Sequence, residues 1–265
     1  MKKALLLIGL AAMPGIAGQA NNVPDAPPPP RPTLTLSPSV VLTKIKPGQG
    51  WTQTLRMSNG TDAPFGFEIE VEDVVIKNGL RVYVPAGETD GGIAASAVAT
   101  PRSLVIPPQT EGRVSVTLTI PPKTGQRAVV IYFHGKIENP KENGSVRLGA
   151  SLGALITFGM SDDYQVEAVS FNTVAQSDAA NQTISHQLRN TGTEVIIPKG
   201  AAAILDESGR RAAKLTFDTH RLLPGELLTF SGVCPSQLKP GHYRVVSSFE
   251  FEGRIITSGG EFYVP

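Results

Sequence analysis

The sequence predicts an all-β protein made of two immunoglobulin-like β-sandwich domains in tandem. First, short segments alternate between apolar and polar residues, as in WTQTLRM (51–57) and VSVTLTI (114–120), which is the period-2 pattern of half-buried strands. Second, turn residues such as Asn59-Gly60 separate these segments. Third, no segment sustains a helical periodicity, and only GGIAASAVA (91–99) favours a short helical turn. Many short strands with regular turns are typical of sandwiches.

The chain begins with the features of a secretory signal peptide, residues 1–20. A basic start precedes an apolar stretch, residues 4–12, and small residues follow it. Cleavage is expected after Ala20, with cleavage after Gly18 as the alternative. A membrane anchor would need roughly 20 apolar residues, and Pro14 interrupts the stretch too early. We therefore expect an exported protein without a membrane span in its mature chain.

Charge and cysteine content exclude several kinds of partner. The chain has 24 basic and 23 acidic residues, and loss of Lys2 and Lys3 with the signal peptide leaves 22 against 23, a net charge of −1. No basic patch would recruit nucleic acid or anionic lipid.

The single cysteine, Cys234, cannot form an internal disulfide and is expected to be a buried apolar residue. The cores alone must therefore hold the fold.

Three regions are expected after the signal peptide: a proline-rich leader (21–32), a first sandwich domain (33–160) and a second one (161–265). Four consecutive prolines, residues 27–30, favour an extended polyproline II segment. A recognition motif is the alternative interpretation of this leader. The domain boundary is expected near residues 159–163, where the strand pattern is interrupted.

A weak internal repeat supports two similar domains. TLRMSNGTDAPFGFEIEV (54–71) is similar to SHQLRNTGTEVIIPKGAAAIL (185–205), because each has a strand, a turn with Asn and Gly-Thr, and a second strand. Segments 106–133 and 222–249 also share a layout, with proline before a strand, a proline-containing break and Lys-x-Gly before the next strand. KPGHY (239–243) is typical of a sandwich corner that a tyrosine hydroxyl fastens.

One predicted strand is unusually long and has two unlike faces. In GSVRLGASLGALITFGM (144–160), every second residue from 146 to 158 is apolar. The other face, called the thin face here, consists of Arg147, Gly149, Ser151, Gly153, Leu155 and Thr157. Strands usually run for about 5–6 residues, so this one is more than twice the usual length. Its apolar face either serves a partner or belongs to the domain's own core.

The sequence offers no arrangement of residues for catalysis. GASLG (149–153) matches the G-x-S-x-G pattern of nucleophile elbows, but an elbow requires a sharp strand-to-helix turn, and here the pattern lies inside an alternating strand. The four histidines, His134, His186, His220 and His242, lack the spacing of metal ligands. No glycine-rich loop joins a strand to a helix, as a phosphate site would need. We therefore expect neither an enzyme nor a bound metal or cofactor.

Several segments resemble the periplasmic pilus-assembly chaperones, the PapD-like family, of which the chain would be a divergent member. QTLRMSNGTDAPFGFEIEVED (53–73) is similar to the family's B–C region, and PRSLVIPPQTEGRVSVTLTIP (101–121) is similar to its proline-flanked D–E region. AVVIYFHGKIENP (128–140) resembles its F strand, which places the long strand at the family's G strand. The resemblance is best over residues 35–160 and extends to the second domain only in general layout.

The resemblance implies a periplasmic chaperone that binds exported pilin-like or surface-fibre subunits, with an outer-membrane usher as a further partner. In this family the G strand completes the incomplete fold of a subunit by β-strand addition. Its apolar side chains would fill the subunit's groove, remaining partly exposed in the free protein, and its thin face would lie against the chaperone's own domain. The implied partner-binding residues are Val146, Leu148, Ala150, Leu152, Ala154, Ile156 and Phe158.

One departure from the family's pattern keeps other functions open. The family anchors a subunit's terminal carboxylate with two cleft bases, and Lys44 lies close to the first of these positions. At the second position, LITF (155–158) offers no base. The alternative is a non-enzymatic immunoglobulin-like binding or adhesion protein, located at the cell surface or secreted. A further alternative is a two-domain protein whose long strand serves only its own core.

Overall fold

The computed structural model describes residues 33–137, 149–175, 182–235 and 237–265. The predicted signal peptide and leader lie outside these residues, as do Val146 and Leu148. Within the described ranges, every regular element is a β-strand except one 3₁₀ turn, Ala94–Ser96. No helix in this part of the chain is long and apolar enough to cross a membrane.

Strands between residues 34 and 159 form two sheets. They are β1 (Leu34–Ser37), β2 (Val40–Lys44), β3 (Gly50–Asn59), β4 (Phe65–Lys77), β5 (Leu80–Pro85), β6 (Val98–Thr100), β7 (Ser103–Ile106), β8 (Thr110–Thr119), β9 (Ala128–Ile137) and β10 (Gly149–Gly159). One sheet has the order β1-β3-β8-β6, and the other has the order β2-β10-β9-β4-β5, with β7 also paired to β4. We call this pair of sheets the first sandwich.

Strands between residues 166 and 264 form a second pair of sheets, the second sandwich. They are β11 (Val166–Ala175), β12 (Gln182–Asn190), β13 (Lys199–Leu205), β14 (Arg211–Thr216), β15 (Leu227–Val233), β16 (Gly241–Phe251) and β17 (Arg254–Val264). The sheet orders are β11-β12-β15 and β14-β13-β16-β17. The predicted fold class, all-β with two immunoglobulin-like β-sandwiches in tandem, is confirmed.

Each sandwich encloses its own apolar core. Phe67 and Phe133 are buried in the first core, and Phe230 and Phe249 are buried in the second. Cys234 is fully buried in the second core, as the sequence predicted. Because each large apolar side chain contributes about 1.5–3 kcal/mol when buried, these cores account for two folds that contain no internal disulfide.

The internal repeat corresponds to two equivalent buried corners. The Asn59 side-chain amide donates to the carbonyl four residues ahead (2.8 Å) and to that of Ile106 (2.9 Å). The Asn190 amide donates to the carbonyl four residues ahead (2.7 Å) and to that of Leu222 (2.9 Å). Ile106 and Leu222 also begin the second pair of repeated segments. Asparagine recurs here because its two N–H groups satisfy two buried carbonyls at once.

Two smaller predictions are also confirmed. The Tyr243 hydroxyl donates a hydrogen bond of 2.8 Å to the Lys239 carbonyl, which fastens the corner before β16. The helical turn predicted within residues 91–99 is the 3₁₀ turn, and Asp73 Oδ1 accepts hydrogen bonds from the backbone N–H groups of Ile93 and Ala94 at its start.

The two sandwiches meet through a small apolar cluster and two ion pairs. Val74 and Val130 of the first sandwich are buried in one cluster with Val195 and Leu223, which lie on the side of the second. Arg81 Nε lies 2.6 Å from Glu226 Oε1, and Arg127 Nε lies 3.0 Å from Glu194 Oε1. Both glutamate side chains are almost fully buried, at 1% and 0% exposure. The interface therefore fixes one sandwich against the other through paired charges in an apolar setting.

Candidate functional site

Strand β10, the long strand of the sequence analysis, is only partly covered at one edge. On one side it pairs with β9 from Gly149 to Thr157. On the other side it pairs in parallel with β2, but only from Leu155 to Gly159. Within the described part of the chain, no strand therefore pairs with residues 149–154 on the β2 side. We call this segment the open edge.

The hydrogen-bonding pattern identifies which backbone groups face the open edge. The Leu155 N–H donates to the Ser39 carbonyl, and the Gly159 carbonyl accepts from the Ile45 N–H, each at 2.9 Å, so odd-numbered residues of β10 face β2. In an antiparallel pair, a residue presents its N–H and its C=O to the same side. Gly149, Ser151 and Gly153 therefore present their backbone donors and acceptors to the open edge.

The apolar face of β10 lies against its own sandwich, which corrects one prediction. Ala154, Ile156 and Phe158 are fully buried in the first core, and Ala150 and Leu152 are partly buried against it. The expectation that the thin face would lie against the domain is wrong, and so is the expectation of exposure at Ile156. The reason is volume, because a sandwich core needs large side chains and the thin face cannot supply them.

The thin face lies on the outer side of the sheet, beneath an aromatic side chain. A Cβ atom at Gly153 would come within 3.1 Å of Val130 Cγ2 and 3.2 Å of a ring atom of Tyr132. Glycine at this position therefore allows the Tyr132 ring to lie over the strand. Burial raises the pKa of Tyr132, and the nearby Tyr83 and Glu72 raise it further. The surface beside the open edge is thus partly aromatic.

Ser151 lies in a polar row across three strands. Its hydroxyl is 2.9 Å from His134 Nδ1 on β9, and His134 Nε2 is 3.4 Å from Glu70 Oε2 on β4. The histidine and glutamate side chains are 44% and 57% exposed. The G-x-S-x-G pattern therefore lies in the middle of a strand on an open sheet surface, without the sharp turn of a nucleophile elbow.

Lys44, the predicted carboxylate anchor, is the last residue of β2. Its Nζ atom is 3.7 Å from Asp162 Oδ1, and both side chains are largely exposed. The neighbouring Tyr164, followed by Asp162, raises the pKa of Lys44. The sequence analysis found no second base at residues 155–158. In the structure, Lys46 lines the same small cavity as Lys44. The structure thus places Lys44 in solvent beside a carboxylate of its own chain.

The structure brings together two arginines, Arg81 and Arg221, that the sequence analysis did not identify as functional residues. Both line a cavity between the two sandwiches, together with Val40 at the opposite end of β2 from Lys44 and Leu155 of β10. No sequence signal links these arginines, because they lie 140 residues apart and come together only through the folded interface.

The fold and the open edge define a protein of two immunoglobulin-like β-sandwiches with an incompletely paired strand. No family model matches the chain, and no curated protein sequence matches it. Among solved structures, the chain is similar to the Pseudomonas aeruginosa CupB2 chaperone, with 12% identity and a TM-score of 0.43 over 87% of this chain and 100% of that one.

Two further solved structures give similar values. The E. coli chaperone DraB has 15% identity and a TM-score of 0.42, over 87% of this chain and 98% of that one. A chaperone–tip adhesin complex of CFA/I fimbriae has 14% identity and a TM-score of 0.43, over the same shares of the two chains. All three structures are similar to this chain over most of its length, at identities of 15% or less.

Proposed function

We propose that the protein is an exported chaperone that binds pilin-like or surface-fibre subunits by β-strand addition at the open edge of β10. The observation that carries this proposal is that no strand of the described residues pairs with the backbone of Gly149, Ser151 and Gly153 on the β2 side. Exposed strand edges readily pair with another chain, and proteins usually protect them with lysine, proline, a bulge or a covering segment. The sequence GASLGA (149–154) contains no such protecting residue.

The side chains of the open edge also favour an added strand. Ala150 and Leu152 are partly buried and pack against the first core. A partner strand beside them would bring its own apolar side chains next to these two residues. The partner-binding set is therefore narrowed to Ala150 and Leu152, with Val146 and Leu148 retained on sequence grounds alone.

Each backbone hydrogen bond to a partner would contribute about 0.5–1.5 kcal/mol. A partner strand matching residues 149–154 would be about 20 Å long.

In the same proposal, Lys44 is the candidate anchor for a subunit's terminal carboxylate, and an outer-membrane usher is a further partner. The proposed location of the protein is the periplasm, because exported subunits pass through this compartment.

The test of strand addition uses proline as a probe of backbone direction. Ser151→Pro removes an N–H group that faces the open edge, where proline is tolerated in a strand. It should leave the fold intact and abolish co-purification of a subunit from native cells. Leu152→Pro is the matched control, because its N–H group faces β9 and its loss should disrupt the sheet itself.

Hydrogen exchange gives an independent readout. The amides of Ser151 and Gly153 should exchange rapidly in the free protein and become protected when the subunit is bound. Protection of these amides in the free protein, or full subunit binding by a folded Ser151→Pro variant, would contradict strand addition. The alternative, a surface binding protein, would be favoured by a different result. In that case Ser151→Pro folds normally, and the wild-type protein pellets with cell wall and carries no subunit.

Export is tested separately by N-terminal sequencing of the protein from native cells. A chain beginning near Asn21 and recovered outside the cytoplasm supports the proposal, whereas an intact Met1 contradicts it.

A further inference from the structure

The polar row on the outer face of the first sandwich contains the three kinds of side chain that activate a serine. Ser151 Oγ lies 2.9 Å from His134 Nδ1, and His134 Nε2 lies 3.4 Å from Glu70 Oε2. A serine becomes nucleophilic when a neighbouring base can take its proton and a third group orients that base. The three residues belong to β10, β9 and β4, so only the folded sheet brings them together.

Two neighbours hold the imidazole of His134 in the orientation that this chemistry needs. The ionised carboxylate of Glu70 can only accept hydrogen bonds, so it favours the tautomer that has its proton on Nε2. The Nδ1 atom can then accept the proton of the Ser151 hydroxyl. The ring of Tyr132 stacks on the imidazole, with a centroid distance of 5.3 Å and an interplanar angle of 28°. The base is therefore supported on two sides and faces the serine.

An incoming group has access to the Ser151 hydroxyl. Its neighbours on the thin face, Gly149 and Gly153, have no side chains, and all three residues are exposed. Among the described residues, a Cβ atom at Gly149 would meet only the Gly135 carbonyl oxygen, at 3.6 Å. The open edge adds a backbone donor, because no strand of the described residues pairs with the Ser151 N–H. In serine hydrolases, the nucleophile's own N–H is one of the donors that stabilise the oxyanion.

We propose that Ser151 is a reactive serine that accepts an acyl group from an activated carboxylic ester. The Ser151 oxygen attacks the ester carbonyl while its proton passes to His134 Nδ1. An ester bond to Ser151 forms, the bond to the leaving group breaks, and His134 gives the proton to the departing alcohol. The strand lacks the sharp turn of a nucleophile elbow, so the expected product is a single acylated serine without rapid turnover. The proposal does not require strand addition, because the three side chains lie on the face of the sheet.

The test is labelling of the purified protein with p-nitrophenyl acetate and with a fluorophosphonate, followed by peptide mass spectrometry. Both reagents should modify Ser151. Ser170 is the matched internal control, because it is an exposed serine on β11 whose hydroxyl lies 2.9 Å from Gln187 Oε1, and an amide oxygen cannot act as the base. Ser151 should react about tenfold faster than Ser170, or more, because only Ser151 has a base beside it.

His134→Gln should slow the labelling of Ser151 about tenfold or more, because the base is lost, while the thermal melt shows a folded protein. Glu70→Gln keeps the base and removes the group that orients it, so it should give a smaller decrease. Glu207→Gln is the matched control, because it removes an exposed carboxylate of the second sandwich, and its Ser151 should react as in the wild type. If His134→Gln does not fold, the comparison of Ser151 with Ser170 in the wild type still decides.

Three results would each overturn the proposal. One is equal labelling of Ser151 and Ser170. Another is unchanged labelling of Ser151 in folded His134→Gln. The third is a protein that carries adducts at other residues, such as His134 itself, and none at Ser151.

Discussion

Arg127→Met tests whether a buried ion pair holds the two sandwiches together. Glu194 has a fully buried side chain and receives three hydrogen bonds: from Arg127 Nε (3.0 Å), the Ser161 hydroxyl (2.9 Å) and the Met160 N–H (2.9 Å). Arg127 belongs to the first sandwich, and its side chain is only 11% exposed. Methionine would fill much of the same space and leave the Glu194 carboxylate without its counter-charge.

The expected loss of stability is large. Removing one partner of a buried ion pair destabilises a protein by about 3–5 kcal/mol, because the other charge remains buried without compensation. For a protein of this size, each 1 kcal/mol lowers the melting temperature by about 2–4 °C, so the expected decrease is about 6–20 °C. Adding Glu194→Gln to Arg127→Met should recover part of this loss, since the double variant buries no charge.

The assay is urea unfolding followed by circular dichroism, with calorimetry for the melting temperature. The matched control is Arg56→Met, which breaks the pair between Arg56 and Glu111, whose side chains are 52% and 45% exposed at an N–O distance of 3.5 Å. Exposed pairs contribute at most about 1 kcal/mol. If Arg127→Met is no more destabilising than Arg56→Met, or if Glu194→Gln worsens it, the reasoning is refuted.

Two further predictions concern His186 and Lys44. His186 is fully buried, with Nε2 2.8 Å from the Ser247 hydroxyl, and burial lowers its pKa to about 4. In the unfolded chain the histidine pKa is about 6.5, so the unfolded state binds a proton more readily than the folded state. The free energy of unfolding should therefore fall by about 2–3 kcal/mol between pH 7.5 and 4.5. Urea unfolding at both pH values should show that His186→Gln lacks this loss and that exposed His242→Gln retains it; equal pH dependence in all three proteins would contradict the assignment. Lys44→Ala should leave the urea midpoint unchanged and weaken subunit binding, whereas Lys46→Ala should bind normally; unchanged binding by Lys44→Ala would remove Lys44 as an anchor.

The local features of this protein could be predicted from its sequence. Strands β3 and β8 lie where apolar and polar residues alternate along the sequence. The corner at Tyr243 and the short turn within residues 91–99 follow from interactions between residues close in the chain. The repeat around Asn59 and Asn190 was also visible, because both corners use the same few residues in the same order. Such features depend on short-range geometry, which the sequence contains directly.

The orientation of β10 was decided only by the tertiary structure. A period-2 pattern distinguishes two faces but does not say which one meets the core, because that depends on the sheet packed opposite. The open edge likewise results from the length of β2, which stops pairing with β10 at Leu155. Arg127 and Glu194 lie 67 residues apart, and Arg81 and Glu226 lie 145 apart, so neither pair leaves a local pattern. These two ion pairs form only once both sandwiches have folded and packed together. Burial then makes the pairing necessary, because a buried charge without a partner is unfavourable.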